Sequence, residues 1–138
     1  MDVTQIPFNK FIEISHSNAA DHVLKLGFKD NMKNHLGTFH ASAQFALAEA
    51  CSGFSLQKLF PQRANSVVPV LRKSDIKFKK PAQSDIQAAA SISTETKEQF
   101  EHQLEKKGHA TIAVPVEIMD QNGTVTMTGT YEWFVQKI

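Results

Sequence analysis

At 138 residues with a formal net charge of +1, the chain is long enough to bury one core and has no charge imbalance to draw it to nucleic acid or an anionic membrane surface. Apolar residues make up 41% and charged residues 21%, the balance of a globular domain rather than a disordered or fibrous chain. A single cysteine, Cys51, excludes an internal disulfide and fits a reducing compartment. The opening MDVTQIPFNKF carries both charges and no apolar core stretch, so it does not read as a secretory signal. No run approaches the roughly 18 apolar residues of a membrane span. The expectation is a cytoplasmic protein and, with no linker, repeat or low-complexity stretch, one domain over residues 1–138.

Two short apolar runs come first, Pro7 to Ser15 and His22 to Phe28, and both read as strands. The polar stretch NMKNHLGT, Asn31 to Thr38, contains Gly37 and reads as a loop. Thr38 then suits a helix N-cap, because its hydroxyl can accept from the unpaired amides of a first turn. From Phe39 to Phe60 the residues are mostly good helix formers without a proline, and Pro61 marks the stop.

The C-terminal half has the period of strands. Ser66 to Lys80 ends in clear alternation, and Ser84 to Ser93 puts Ile86, Ala88, Ala90 and Ile92 on one face. Thr96 to Lys107 reads as a short surface helix, with Thr96 and Gln99 spaced as a capping box and Gly108 at its end. Ala110, Ile112, Val114, Val116 and Ile118 alternate along a long strand, and Asn122-Gly123 signals a hairpin. Thr124 to Val135 completes the pair, with Val125, Met127, Tyr131 and Trp133 on one side and a row of threonines on the other. Two strands, a long helix and four strands with a helical insertion make an α+β layout with an antiparallel sheet.

The helix holds the most informative pattern. In HASAQFALAEACSGF, His40 to Phe54, apolar side chains surround the axis on every side, so the helix is expected to be enclosed by the sheet. Glu49 is the one charged residue in that segment. An ionised carboxylate in an apolar setting is costly unless paired, which marks Glu49 as a site candidate. The plainer reading is that it reaches a watery edge or pairs with an arginine such as Arg72. The glycine loop before the helix lets backbone approach a ligand, and the helix start offers free amides and a positive dipole end. His40 could donate there as well, or could be purely structural. From Ala41 to Glu49 the helix rises about 12 Å. An amide at the helix start and this carboxylate therefore cannot touch one carbonyl carbon from a single chain. If both serve one reaction, two chains must supply them, as a two-fold dimer with antiparallel helices would do twice.

The run Asn34-His35-Leu36-Gly37-Thr38-Phe39-His40, followed by Ala41-Ser42-Ala43-Gln44-Phe45-Ala46-Leu47-Ala48-Glu49, resembles the signature of hotdog-fold thioesterases, in particular the phenylacetyl-CoA thioesterase-like group. Lys79-Lys80-Pro81-Ala82 is similar to a turn between two strands in that family. The resemblance implies a hotdog fold, an antiparallel sheet wrapped around a long central helix, and cleavage of an acyl-CoA thioester. No metal or cofactor is implied beyond coenzyme A as part of the substrate.

By that resemblance Glu49 acts as nucleophile or general base, the Ala41 amide polarises the thioester carbonyl, and Asn34 orients the water or the thioester. Gly37 and His40 shape the acyl end of the cleft, with Thr38 and Gln44 of the same signature on the substrate side. The basic residues Arg72, Lys79 and Lys80, on or near one strand with Lys73 and Lys77, are the expected contacts for the coenzyme A phosphates, against the plainer reading of a solvated strand face.

The chain departs from the family in having Ala41-Ser42 where His-Gly-Gly is common, and Glu where Asp is common. Some members keep a water-holding Ser or Thr on the strand after the helix; Ser66 lies near that place, yet counting back from Pro81-Ala82 puts Leu71 there. The expected assembly is a homodimer or a dimer of dimers. Cys51 reads as a small core residue, and His16, His22, His35, His102 and His109 lack metal-ligand spacing. A non-catalytic acyl-CoA-binding module on the same fold is the competing expectation, with a dehydratase as a third.

Overall fold

The computed structural model describes residues 1–20, 23–63 and 65–138. The chain begins with a short 3-10 turn at Val3–Gln5 and the helix α1 at Pro7–Phe11, then pairs β1 (Ser15–His16) with β2 (Val23–Leu26). After the long helix α2 (Ala41–Gln57) come β3 (Val67–Phe78), β4 (Ile86–Ala90), α3 (Thr94–Lys107), β5 (His109–Met119) and β6 (Val125–Lys137). Among the described residues the strands form one sheet in the order β1-β2-β4-β5-β6-β3, every neighbouring pair antiparallel. The expected hotdog architecture is therefore present, with α2 lying along one face of the sheet.

Alternation drives this burial. Along β5, Ala110, Ile112, Val114, Val116 and Ile118 are all buried, while the residues between them are exposed. Leu47, Ala48, Ala50, Cys51 and Leu56 of α2 join the same core. The alanines let the backbone of α2 approach the sheet closely. Hydrogen bonds from the sheet then fix the helix: Tyr131 Oη donates to the Phe45 carbonyl at 3.0 Å, and Trp133 Nε1 donates to Ser52 Oγ at 2.9 Å. Cys51 is buried with Sγ 3.2 Å from the Ala88 carbonyl, and burial pushes its thiol up to about 11, so it is a core residue.

Several local expectations are corrected. Pro7 to Ser15 is mostly helix, because Pro7 occupies the first helical position, where its missing N–H costs nothing. Only Ser15 and His16 are strand. The start of the second strand, at His22, lies outside the described residues. The N-cap of α2 is His40 rather than Thr38. Phe39 and His40 are held out of the helix by Phe39 N to Ala82 O at 2.9 Å and His40 N to Met32 O at 2.8 Å, and the His40 ring caps the first turn instead.

At the far end, α2 stops at Gln57 and tightens into three-residue turns before Pro61. Thr126, placed in the outward threonine row, is fully buried. The hairpin loop is wider than Asn122-Gly123 alone, because Asp120 accepts from the Asn122 and Thr124 amides across it. The cap of α3 is Ser93, whose hydroxyl accepts from Thr96 N at 3.1 Å, so Thr96 lies inside the helix. Gly108 closes α3 at φ 77°, as expected. Replacing Ser93 with alanine should cost about 1 kcal/mol of stability, measured by urea unfolding, with Thr96→Ala costing less.

Candidate active site

The loop that delivers α2 is organised by Asn34. Its side-chain oxygen accepts from the amides of Leu36 and Thr38 at 2.9 and 3.1 Å, and its NH2 group donates to Thr38 Oγ1 at 2.9 Å and the Phe39 carbonyl at 3.3 Å. Both ends of the amide are spent inside the loop, so Asn34 shapes the loop rather than reaching a water. Gly37 sits at φ 77° with open space around it, the left-handed conformation that a β-carbon disfavours.

The first turn of α2 then presents one unpaired amide. Ser42 N is taken by His40 Nδ1 at 2.9 Å, and the amides of Ala43 and Gln44 both reach the His40 carbonyl, at 3.0 and 3.2 Å. Among the described residues no acceptor takes Ala41 N. Because His40 uses Nδ1 as an acceptor, only its Nε2 side is left to donate.

Ala41 and Glu49 both line one apolar cavity of about 660 Å3, with Ser42, Phe45 and Ala46 on the same helical face. Its other walls are Ile6, Phe8 and Asn9 from the N-terminal segment and Leu71 and Phe78 from β3. Leu71 and Phe78 are seven residues apart and would point to opposite faces of a regular strand. The register with β6 shifts between Leu71 and Lys73, and this bulge turns the later residues over so that both face the cavity. Leu71 and Phe78 are therefore the β3 residues at the site, and Ser66, which precedes the strand, does not line the cavity.

Glu49 is half-buried, and among the described residues its carboxylate has no hydrogen-bond or ion-pair partner. Burial alone pushes its carboxyl above the usual glutamate value. The neighbouring Tyr131 phenol is raised by burial and, secondarily, by the Glu49 charge. The plainer reading of Glu49 as Arg72's partner fails, because Arg72 lies 3.6 Å from Glu132.

Other expected residues fall elsewhere. Gln44 is a correction: it is buried, and its Oε1 accepts from Thr126 Oγ1 at 2.8 Å, tying α2 to the sheet instead of meeting a substrate. Thr38 is buried with its hydroxyl bonded to Asn34, so its place is structural too. Arg72 faces Glu132 rather than the cavity, whereas Lys79 and Lys80 are exposed and directly follow Phe78 at the cavity wall.

Asn9 was missing from the sequence reading. It is 5% exposed, donates to the Val3 carbonyl at 2.9 Å, and lines the cavity beside Glu49. The strand assignment for Pro7 to Ser15 hid it; Pro7 as a helix start was the signal that could have found it.

A carboxyl with a raised folded-state pKa holds its proton more tightly when folded. The stability it contributes is complete below the ordinary glutamate pKa and is lost as pH rises through the raised value. Glu49→Gln should therefore melt at a higher temperature than the parent at pH 8, and the gap should close as pH falls toward the ordinary glutamate value. A gap that does not change with pH would contradict the burial of this charge.

The family described as Domain of unknown function (DUF4442) matches residues 6–135. Among solved structures, a Pseudomonas aeruginosa protein of unknown function, described as a probable thioesterase, is 21% identical with a TM-score of 0.80, covering 99% of this chain and 91% of its own. A Bacillus halodurans protein solved with CoA is 19% identical with a TM-score of 0.71, covering 93% and 74%. A thioesterase from Haemophilus influenzae is 11% identical with a TM-score of 0.72, covering 98% and 86%. No curated protein matches the chain in sequence. The chain belongs to the DUF4442 family, and its fold is the hotdog fold shared with these thioesterase-like structures.

Proposed function

We propose that this protein hydrolyses the thioester of an acyl-coenzyme A as one half of a two-fold dimer, with each site built from Glu49 of one chain and the Ala41 amide of the other. The observation that carries the reading is the pair of unsatisfied groups on one face of α2: an unpartnered carboxylate and an unpartnered helix-start amide, both opening on the same apolar cavity. A thioester carbonyl needs a donor on its oxygen and a base or nucleophile at its carbon. This chain supplies both, but eight residues apart.

A second copy brings them together. The open face of α2 and the outer edge of β3, a twelve-residue strand with Val68, Val70 and Phe78 exposed, are surfaces that a single chain leaves uncovered. In the dimer, Ala41 N–H of one chain holds the thioester oxygen as negative charge develops there. Glu49 of the other, ionised, attacks the carbonyl carbon or takes a proton from the water that does. The C–S bond then breaks, the thiol leaves as coenzyme A, and a water supplies the oxygen of the free acid. Lys79 and Lys80, exposed and directly following Phe78, would meet the coenzyme A phosphates. The CoA bound to the Bacillus halodurans structure supports a ligand of this class.

Thiol release from a panel of acyl-CoAs tests the reading. Glu49→Ala should lower kcat/KM by about 10²- to 10⁴-fold. Ala41→Pro removes the amide while keeping the helix, since proline suits the first helical position and His40 already has the extended backbone (φ −64°, ψ 137°) that precedes one. It should cost about 10²- to 10³-fold with an unchanged circular-dichroism spectrum. Binding of acyl-CoA without turnover would instead favour a non-catalytic binding module, and undiminished turnover in Glu49→Ala would reject the site.

A further inference from the structure

Behind Glu49 lies a second apolar cavity of about 360 Å3, and Ile6, Asn9 and Glu49 line both it and the larger one. These three residues therefore form a wall shared by the two spaces, with the candidate carboxylate on it. Beyond this shared wall lie buried Val3, Ala50, Val67 and Trp133 with Met1, Gln57 and Val68 on the open side, and among the described residues that line this cavity Glu49 alone has an ionisable side chain.

Trp133 is 8% exposed and is fixed by its Nε1 hydrogen bond to Ser52 Oγ, which in turn donates to the Glu49 carbonyl at 2.7 Å. Gly53 is what lets the indole lie against α2, because a β-carbon there would stand 3.3 Å from Trp133 Cζ2. The roof is also held: Asp2 accepts from Thr4 N and Thr4 Oγ1 at 3.0 and 2.8 Å and lies 2.9 Å from His16 Nε2, and Asn9 reaches back to the Val3 carbonyl. The space is thus a mostly apolar recess held in shape beside Glu49 and open to solvent at Met1 and Val68.

We propose that this chamber receives the acyl chain of the substrate, and that it selects straight acyl groups of about eight to twelve carbons. The inference rests on the thioesterase reading and extends it to the substrate. With the thioester carbonyl at Glu49, the tail runs past Ala50 and Gly53 toward Trp133, and the coenzyme A arm leaves through the larger cavity toward Phe78, Lys79 and Lys80. At about 30 Å3 for each water-sized group, the chamber has room for roughly twelve such groups. An acetyl group leaves it empty, and a chain of sixteen carbons overfills it. Each methylene that enters leaves water, so chain length is read directly as affinity.

Trp133 is the chain's single tryptophan, so its fluorescence reports occupancy of the chamber independently of turnover. S-decyl-CoA, a thioether that cannot be hydrolysed, should shift Trp133 emission, while S-ethyl-CoA should not. In turnover, decanoyl-CoA should exceed acetyl-CoA by tenfold or more in kcat/KM. Gln57→Phe, at a half-buried position on the chamber wall, should lower decanoyl-CoA turnover by about tenfold and leave butyryl-CoA unchanged. Hydrolysis with no chain-length preference and no Trp133 response overturns the chamber and leaves the hydrolase standing. A Trp133 response to S-decyl-CoA without any turnover keeps the chamber and removes the hydrolase. Absence of both removes both.

Discussion

An α-helix is a rigid spacer, and in this protein it holds apart two groups that one reaction would need together. Ala41 and Glu49 lie on the same face of α2, separated by about 12 Å of rise. Neither bending nor side-chain rotation closes that gap, since the helix is pinned along its length by Tyr131 at Phe45 and by Trp133 through Ser52. The same rigidity that fixes the carboxylate forbids a one-chain site. Two helices running antiparallel would bring the amide of each beside the carboxylate of the other, which is why the proposed site takes the open face of α2 as the surface for a second copy.

Keeping Glu49 unpaired has an energetic cost that the rest of the site is arranged to preserve. The walls around it are mostly apolar, Ile6, Leu71, Phe78 and the alanines of α2, and among the described residues neither Asn9 nor Ser42, which complete them, bonds to it. The nearest arginine on β3 is turned away to Glu132. The bulge in β3 completes the enclosure by aiming Phe78 inward along with Leu71. A carboxylate half-buried in this way is a stronger base than one in water, and its place on the wall between two apolar spaces is where the proposed substrate would change from a buried tail to a solvated arm.

Much of the scaffold was legible in the sequence because period and composition agreed. The alternation from Ala110 to Ile118, the asparagine-glycine hairpin, Gly108 at a helix end and the alanine-rich helix with its lone Glu49 all carry local signals strong enough to survive tertiary context. What escaped was decided by contacts distant in sequence. Thr38 is a good cap by type, but the Phe39 bond to Ala82 and the His40 bond to Met32 keep the chain out of the helix until Ala41. Gln44 looked like a substrate contact until Thr126, 82 residues away, proved to hold it. Asn34 looked available, yet four hydrogen bonds within its own loop use it up. The bulge at Arg72 and the roof formed by the N-terminal helix leave no mark in residue type beyond Pro7.

The central claim is that each site draws on two chains, and subunit complementation tests it most directly. Chains carrying Glu49→Ala and chains carrying Ala41→Pro are co-expressed with different affinity tags, and the mixed dimer is purified. If the site is shared, the mixed dimer has one intact site, with Glu49 from one chain and the Ala41 amide from the other, and recovers about half the parent activity while both parental variants stay nearly inactive. A mixed dimer as inactive as its parents, or a protein that sediments as a monomer while hydrolysing acyl-CoA, would contradict the account.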